Sequence, residues 1–118
     1  MVIADDHRLF VEALEVILST DGRVEVVGHA YDGQEAVELV RRHKPEVVLM
    51  DIAMPRLDGI DATKAILEAG EETRVIVLTG SDSTTDVARA RAAGAAGFVT
   101  KDQIAGDLLR AILDSVKR

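Results

Sequence analysis

The stretch Pro45-Glu46-Val47-Val48-Leu49-Met50-Asp51 places four consecutive apolar residues directly before an aspartate. Unbroken apolar character over a short run is typical of a strand that is covered on both faces, as the strands of parallel sheets are. Such a sheet carries helices on both of its faces. Residues 47–50 are therefore predicted to form a buried strand, with Asp51 at its carboxyl end.

On either side of this strand, short runs rich in β-branched residues alternate with stretches of helical spacing. Strands are predicted over residues 2–4, 24–30, 74–79 and 97–100, and helices over about 34–43, 59–69 and 83–94. A first helix presents Phe10, Ala13, Leu14, Ile17 and Leu18 on one face, and a last helix presents Ile104, Leu108, Ile112 and Val116. Short loops between alternating elements predict right-handed crossovers and a parallel (βα)5 sheet between two helical layers.

The predicted helix ends rest on side chains that cap or terminate helices. Asp58 is predicted to be an N-cap, and Ser83-Thr84-Thr85-Asp86 has the pattern of a capping box. Asp32-Gly33 is predicted to turn the chain before the second helix, and Pro45 is predicted to close it.

Composition excludes several classes of protein. The chain has 118 residues, enough for one domain with a buried core, and no cysteine that could form a disulfide or a thiolate site. Its 14 basic and 21 acidic residues give a net charge of -7, which opposes nonspecific binding to nucleic acid. All apolar runs are shorter than the roughly 20 residues that span a bilayer. We therefore expect a soluble, cytoplasmic protein that does not itself bind a membrane.

Reactive side chains stand at the predicted carboxyl ends of four strands. Asp5 and Asp6 follow the first strand, Asp51 the third, Thr79 the fourth and Lys101 the fifth. Ligands of open parallel sheets bind at this edge. Carboxylates suit a hard cation such as Mg2+, and a carboxylate can also attack a phosphoryl group, whose oxygens an ammonium and a hydroxyl would then hold.

Each residue alone also has a simpler structural interpretation. Asp5 or Asp6 could cap the first helix, Thr79 suits a strand, and a single lysine such as Lys101 is usually a solvated charge. Asp51 has no evident capping role. The coincidence of matching groups at four strand ends therefore favours a functional site.

Four segments together closely resemble the receiver domain of two-component response regulators: Ile3-Ala4-Asp5-Asp6-His7, Val48-Leu49-Met50-Asp51-Ile52-Ala53-Met54-Pro55 with Asp58-Gly59, Val77-Leu78-Thr79, and Gly94-Ala95-Ala96-Gly97-Phe98-Val99-Thr100-Lys101-Asp102. Ala-Asp-Asp-His near the start and Lys-Asp after the fifth strand are most similar to the subfamily with a LuxR-type helix-turn-helix output. The resemblance implies a flavodoxin-like, doubly wound five-stranded parallel sheet of order 2-1-3-4-5. It also implies one receiver domain over residues 1–118, compatible with the N-terminal part of a longer response regulator.

The resemblance further implies a signalling switch that catalyses only its own phosphoryl uptake and aspartyl-phosphate hydrolysis. Asp51 would accept the phosphoryl group from a sensor histidine kinase. Mg2+, or Mn2+, would be bound directly by Asp6 and Asp51, through water by Asp5, and by the backbone carbonyl of Ala53. Many members carry a polar residue where this chain has Ala53, so the rate of dephosphorylation stays open.

Further roles follow from the same resemblance. Lys101 and Thr79 would hold phosphoryl oxygens, and Thr79 and Phe98 would form a switch that responds to phosphorylation. Core packing explains Phe98 equally well. Phosphorylation would alter homodimerisation or contact with an output, with DNA bound only through a C-terminal output domain outside this chain.

Proteins of other classes would use similar residues. An aspartate-nucleophile phosphatase would require a general acid at position 53, which is alanine, and a flavin-binding domain would require a hydroxyl-rich loop after the first strand. A degenerate receiver would lack Asp51, Lys101 or the acidic pair, and all are present. The chain also has no glycine-rich nucleotide-binding motif.

Overall fold

The computed structural model describes residues 1–19, 24–54, 56–80 and 84–101, with only the backbone described at Thr84. Within these ranges the chain alternates five strands with four helices. The strands are β1 (Val2–Ala4), β2 (Gly28–Ala30), β3 (Val47–Asp51), β4 (Arg74–Thr79) and β5 (Gly97–Thr100), and the helices are α1 (Arg8–Ser19), α2 (Gly33–His43), α3 (Gly59–Glu68) and α4 (Thr84–Ala92).

All five strands are parallel and lie in the order β2-β1-β3-β4-β5. The predicted doubly wound, flavodoxin-like sheet is confirmed. The last predicted helix, from Ile104 to Val116, lies outside the described residues. No helix within those residues has the length and apolar character needed to cross a membrane.

The sheet divides the hydrophobic core into two clusters. Side chains alternate across each strand, so Val48 and Met50 of β3 face one side and Leu49 faces the other. We call the second set the α1-side cluster; its buried members are Ile3, Val11, Leu14, Leu18, Val47, Leu49, Ile76, Leu78 and Val99. The first set, the α3-side cluster, joins the sheet to α2, α3 and α4, and its members from these helices are Ala36, Val40, Ile60, Ala62, Ile66 and Ala90. Every residue of β3 is buried, as its apolar run predicted.

Capping side chains fix the start of α2 and α3. Asp32 Oδ1 accepts a hydrogen bond of 2.8 Å from the Glu35 backbone N–H, and Asp58 Oδ1 accepts one of the same length from Asp61. The N-cap predicted at Asp58 is therefore confirmed. The α2 helix ends before Lys44, whose φ of 47° is left-handed, and Pro45 follows it. The capping box predicted from Ser83 falls partly on residues outside the described ranges.

The second strand is shorter than predicted. Residues 24–30 were expected to form it, but β2 covers only Gly28–Ala30. Its partner β1 has three residues, and each pairs with one residue of β2. Upstream of β2, the Val27 N–H donates to the Met1 carbonyl at 2.9 Å and the Met1 ammonium donates to the Glu25 carbonyl at 2.7 Å, so two contacts with Met1 continue beyond the paired residues of the strands. The alternating valines give residues 24–27 the pattern of a strand, but β1 is too short to pair with all of them.

The buried face of α1 also differs from the prediction at two positions, Val11 and Ala13. Val11, Leu14 and Leu18 are buried, whereas Ala13 is exposed. Successive residues of a helix are rotated by about 100°, so Ala13 lies at the edge of the face that is centred near Leu14. Its small side chain carries too little apolar area to turn the helix toward it.

Candidate functional site

Asp51 is a buried carboxylate at the end of the central strand. Its side chain is 5% exposed, and Oδ1 lies 3.5 Å from Lys101 Nζ. Within the described part of the chain, Oδ2 is buried and has no hydrogen-bond partner. The pKa of Asp51 is raised to about 6, chiefly by burial; Asp5 and Asp6 contribute to the rise and Lys101 opposes it. A carboxylate with this pKa is still about nine-tenths ionised at pH 7, so its charge needs compensation.

A glycine brings the next helix against the backbone of Asp51. A Cβ at Gly59 would lie 2.1 Å from the Asp51 carbonyl oxygen, a distance that no side chain can occupy. Without that atom, the Gly59 N–H donates to the Ile52 carbonyl at 2.9 Å. The loop after β3 is thereby folded back on the strand that carries Asp51.

Two further carboxylates follow β1, the neighbour of β3 in the sheet. Asp5 is fully buried, and its Oδ1 accepts hydrogen bonds from the backbone N–H of His7 at 2.9 Å. The His7 ring Nδ1 lies 3.1 Å from the same oxygen and 3.4 Å from Asp6 Oδ1. Asp6 is 36% exposed. The predicted acidic cluster is thus assembled, with one buried and one solvent-facing member from β1.

Lys101 reaches into the cluster from the end of β5. Its Nζ lies 2.9 Å from Asp5 Oδ2, close enough for an ion pair although the two groups are not aligned as a hydrogen bond. The structure therefore brings Lys101, Asp5 and Asp51 together. The amine also lies 4.4 Å from the centroid of the Phe10 ring, a contact that the sequence analysis missed. Helical spacing had assigned Phe10 only to the buried face of α1.

The remaining predicted site residues lie around this centre. Thr79 is buried at the end of β4, one residue beyond Leu78, which pairs with Asp51. Phe98 is half-buried on β5, packs against the α3-side cluster and lines a cavity of about 290 Å³ with alanines of α4 and the α4–β5 loop. Ala53 is exposed in the loop after β3. Their proposed roles stay predictions.

The three histidines occupy different environments. His7 touches the acidic cluster, while His43 is exposed at the end of α2. His29 Nε2 lies 3.3 Å from Glu15 Oε1, away from the acidic cluster. Only His7 among them can therefore contribute a ligand atom at the carboxyl edge of the sheet.

The donor atoms of the cluster fit a divalent cation. Ligand atoms of Asp5, Asp6, His7 and Asp51 lie within 4.8 Å of one another. Among the described residues, the carboxyl groups of Asp5, Asp6 and Asp51 lie close together beside the Lys101 ammonium, and the buried Asp51 Oδ2 lacks a partner there. Hard cations prefer such oxygens. The residues present thus match the chemistry of a Mg2+ site.

The chain is similar to proteins of one family along nearly its whole length. A family model described as the response regulator receiver domain matches residues 1–113. The probable transcriptional regulatory protein NarL of Mycobacterium tuberculosis is 40% identical over 117 residues, which are 99% of this chain and 54% of that protein. The chain therefore spans about half the length of the curated relatives it matches.

Solved structures agree with the sequence comparison. The signal receiver domain of the putative response regulator NarL from M. tuberculosis has a TM-score of 0.93 at 40% identity, covering 99% of this chain and 95% of that one. A two-component response regulator of the LuxR family from Aurantimonas sp. SI85-9A1 has a TM-score of 0.92 at 30% identity, covering 98% of this chain and 82% of that one. The predicted resemblance, including the LuxR-type subfamily, is confirmed.

Proposed function

Because the chain belongs to the family of response regulator receiver domains, we propose that it is a phosphorylation-dependent switch in which Asp51 accepts the phosphoryl group. The observation that carries this assignment is the state of Asp51. It is a buried carboxylate at a strand end, with one oxygen unpartnered within the described residues and the other near an ammonium. Such an arrangement costs stability in the resting protein, which is common at functional sites.

The proposed reaction is transfer from a phosphohistidine of a sensor histidine kinase. An Asp51 oxygen forms a bond to phosphorus while the bond from phosphorus to the histidine nitrogen breaks, and the nitrogen keeps the electron pair. Solvent supplies the proton that the released imidazole needs. The Oδ2 atom is suited to attack because no described hydrogen bond occupies its lone pairs.

Receiver domains bind Mg2+ at an acidic pocket, and this chain has such a pocket. We assign Asp6 and Asp51 as direct ligands, with the carbonyl of Ala53, while Asp5 acts through water. Both oxygens of Asp5 are already engaged, one by His7 and the other by Lys101, which supports an indirect role. When bound, Mg2+ or Mn2+ neutralises charge on carboxylate and phosphoryl oxygens.

Lys101 and Thr79 are the proposed partners of the transferred group. The ammonium of Lys101 is already 3.5 Å from Asp51 Oδ1, so the oxygens of a phosphoryl group carried by Asp51 would lie near it. The position of Thr79 at the end of the neighbouring strand supports a hydroxyl contact from the β4 side. The switch would couple Thr79 to Phe98, whose ring borders the cavity beside α4.

The output of the switch lies beyond this chain. We propose that residues 1–118 form one receiver domain of a cytoplasmic transcriptional regulator whose output domain binds DNA. Its matched relative is a probable transcriptional regulatory protein and is about twice as long. The net charge of -7 makes the chain itself unsuited to DNA, so phosphorylation would act through homodimerisation or domain contacts. The only chemistry proposed for the chain is its own phosphoryl uptake and aspartyl-phosphate hydrolysis.

Phosphoryl uptake can be measured directly. The protein is incubated with acetyl phosphate and Mg2+, and its intact mass is recorded over time. We expect one added phosphoryl group when Mg2+ is present. No group should be added when Mg2+ is chelated beforehand, or in Asp51→Asn. The control variant Asp61→Asn, which changes an exposed aspartate of α3, should take up the group as the wild type does. Equal uptake by Asp51→Asn and the wild type would refute the assignment of Asp51. No uptake by the wild type would refute the function itself.

A further inference from the structure

The ammonium of Lys101 lies between two carboxylates and the face of an aromatic ring. Nζ is 4.4 Å from the centroid of Phe10, 2.9 Å from Asp5 Oδ2 and 3.5 Å from Asp51 Oδ1. Phe10 belongs to α1, whereas the two carboxylates follow or end strands of the sheet. Of these three groups, only the ring is uncharged.

An aromatic ring holds a cation in a different way from a carboxylate. The negative face of the ring attracts a cation within about 6 Å of its centroid. The ring neither accepts a proton from Nζ nor binds Mg2+ as a carboxylate does. Phe10 also packs against the α1-side cluster, so the hydrophobic core fixes its position. Lysine has a flexible four-carbon stem, and a fixed surface beside its end restricts where the ammonium can go.

Compared with Phe10, Asp5 is a partner of Lys101 whose attraction changes when a divalent cation binds. The carboxylates of Asp5, Asp6 and Asp51 are the groups that fit a divalent cation, so a cation and the ammonium draw on the same oxygens. A metal held by these groups weakens the attraction of Asp5 for Lys101. The contact between Lys101 and Phe10 is not weakened in this way, because the ring does not bind the metal.

We propose that Phe10 is a positioning residue, which keeps the Lys101 ammonium beside Asp51 through a cation–π contact when the carboxylates are occupied. This proposal rests on the proposed function, because the position of Lys101 matters there for receiving phosphoryl oxygens. Packing alone would make the size of the ring important. A cation–π role makes the electron density of the ring important as well.

Fluorinated phenylalanines separate ring size from electron density. Mono-, di- and trifluorophenylalanine at position 10 change the shape little while progressively weakening the negative face of the ring. The same analogues at Tyr31, whose ring lies 5.0 Å from Arg8 Cζ, test a cation–π pair that does not involve Lys101. We expect phosphoryl uptake with Mg2+ to fall stepwise at position 10, by about 2- to 10-fold overall. Uptake by Phe10→Leu should fall at least as far, and uptake by Phe10→Tyr should stay within about twofold of wild type. The fluorinated analogues at position 31 should leave uptake unchanged.

Nuclear magnetic resonance reports the contact without relying on activity. The chain has four lysines, so selective labelling of the lysine ε-methylene groups gives four signals, and Lys101→Arg assigns the one of interest. Ring current from Phe10 should move the Lys101 signal upfield of those of exposed Lys44 and Lys64, before and after Mg2+ is added. Phe10→Leu should abolish the difference.

Several results would overturn the proposal. An unshifted Lys101 signal in the wild type, or its loss on adding Mg2+, would show that the contact is absent where it is needed. A flat fluorine series combined with slow uptake by Phe10→Leu would show a packing role only. A wild-type protein that takes up no phosphoryl group would refute the proposed function, and the Lys101 signal would still establish separately whether Phe10 holds the amine.

Discussion

Replacing Asp51 with asparagine is expected to stabilise the metal-free protein at neutral pH. The pKa of this carboxyl is raised from 3.8 to about 6, chiefly because the group is buried. The folded state therefore disfavours the ionised form relative to the unfolded chain. Asparagine removes that charge and keeps nearly the same shape, so the variant should have the higher free energy of unfolding.

The size and pH dependence of the effect follow from the two pKa values. A pKa difference of about two units corresponds to at most about 3 kcal/mol, since each unit is worth roughly 1.36 kcal/mol. Solvent screening and relaxation of the folded chain reduce this value, and we expect on the order of 1–2 kcal/mol at pH 7. Below about pH 4 the carboxyl is protonated in both states and the advantage disappears. It should grow as pH rises from about 4 to 6 and then level off.

Urea denaturation in EDTA, followed by circular dichroism at constant ionic strength, measures this difference. Glu12→Gln on the exposed face of α1 is a matched control, because it removes an exposed carboxylate. Its effect on the free energy of unfolding should be small, because the side chain is exposed. An advantage of Asp51→Asn that stays constant between about pH 4 and 7, or a variant less stable than wild type at pH 7, would refute the reasoning.

Three other predictions address the same edge of the sheet. Gly59→Ala should lower the free energy of unfolding by about 2 kcal/mol or more, since its Cβ would lie 2.1 Å from the Asp51 carbonyl oxygen. Gly80→Ala is the denaturation control, because a Cβ there would meet no described atom within 4 Å. Equal losses of stability in both variants would contradict this prediction. Mg2+ should raise the melting temperature, corresponding to about 2.7 kcal/mol at a hundredfold excess over Kd, and Asp6→Asn should remove most of that rise in differential scanning fluorimetry. The rate of uptake from acetyl phosphate should fall as pH drops below about 6, because Asp51 becomes protonated. Raising the Mg2+ concentration should move that midpoint to lower pH, whereas a rate that increases on acidification would count against Asp51 as the nucleophile.

The fold was predictable because local patterns and pairing partners agree along most of the chain. Residues 47–50 had no polar interruption, and the structure buries them between the two clusters. The prediction failed where the strand pattern was longer than the neighbouring strand. Residues 24–27 lie beyond the three residues of β1 that pair with β2. Length of a neighbouring strand is a tertiary property that periodicity does not contain.

The charged groups of the site were predictable from strand ends, but their contacts were not. The parallel order explains why Asp5, Asp51 and Lys101 share one edge. That order does not say which ring lies beside the Lys101 amine, because Phe10 reaches it from a helix on one face of the sheet. Whether another described residue bonds to Asp51 Oδ2 likewise depends on side-chain rotamers rather than on sequence spacing, and none does.

The division of the core by the sheet has a consequence for how this protein can evolve. Phe10 packs on the α1 side and Phe98 on the α3 side, so these two aromatic residues contact different halves of the core. Substitutions that share no contacts usually have additive effects. During evolution, substitutions in the α1-side cluster can therefore adjust the rate of phosphoryl uptake, while substitutions in the α3-side cluster change the surface beside α4. Neither set needs compensating substitutions on the other face of the sheet.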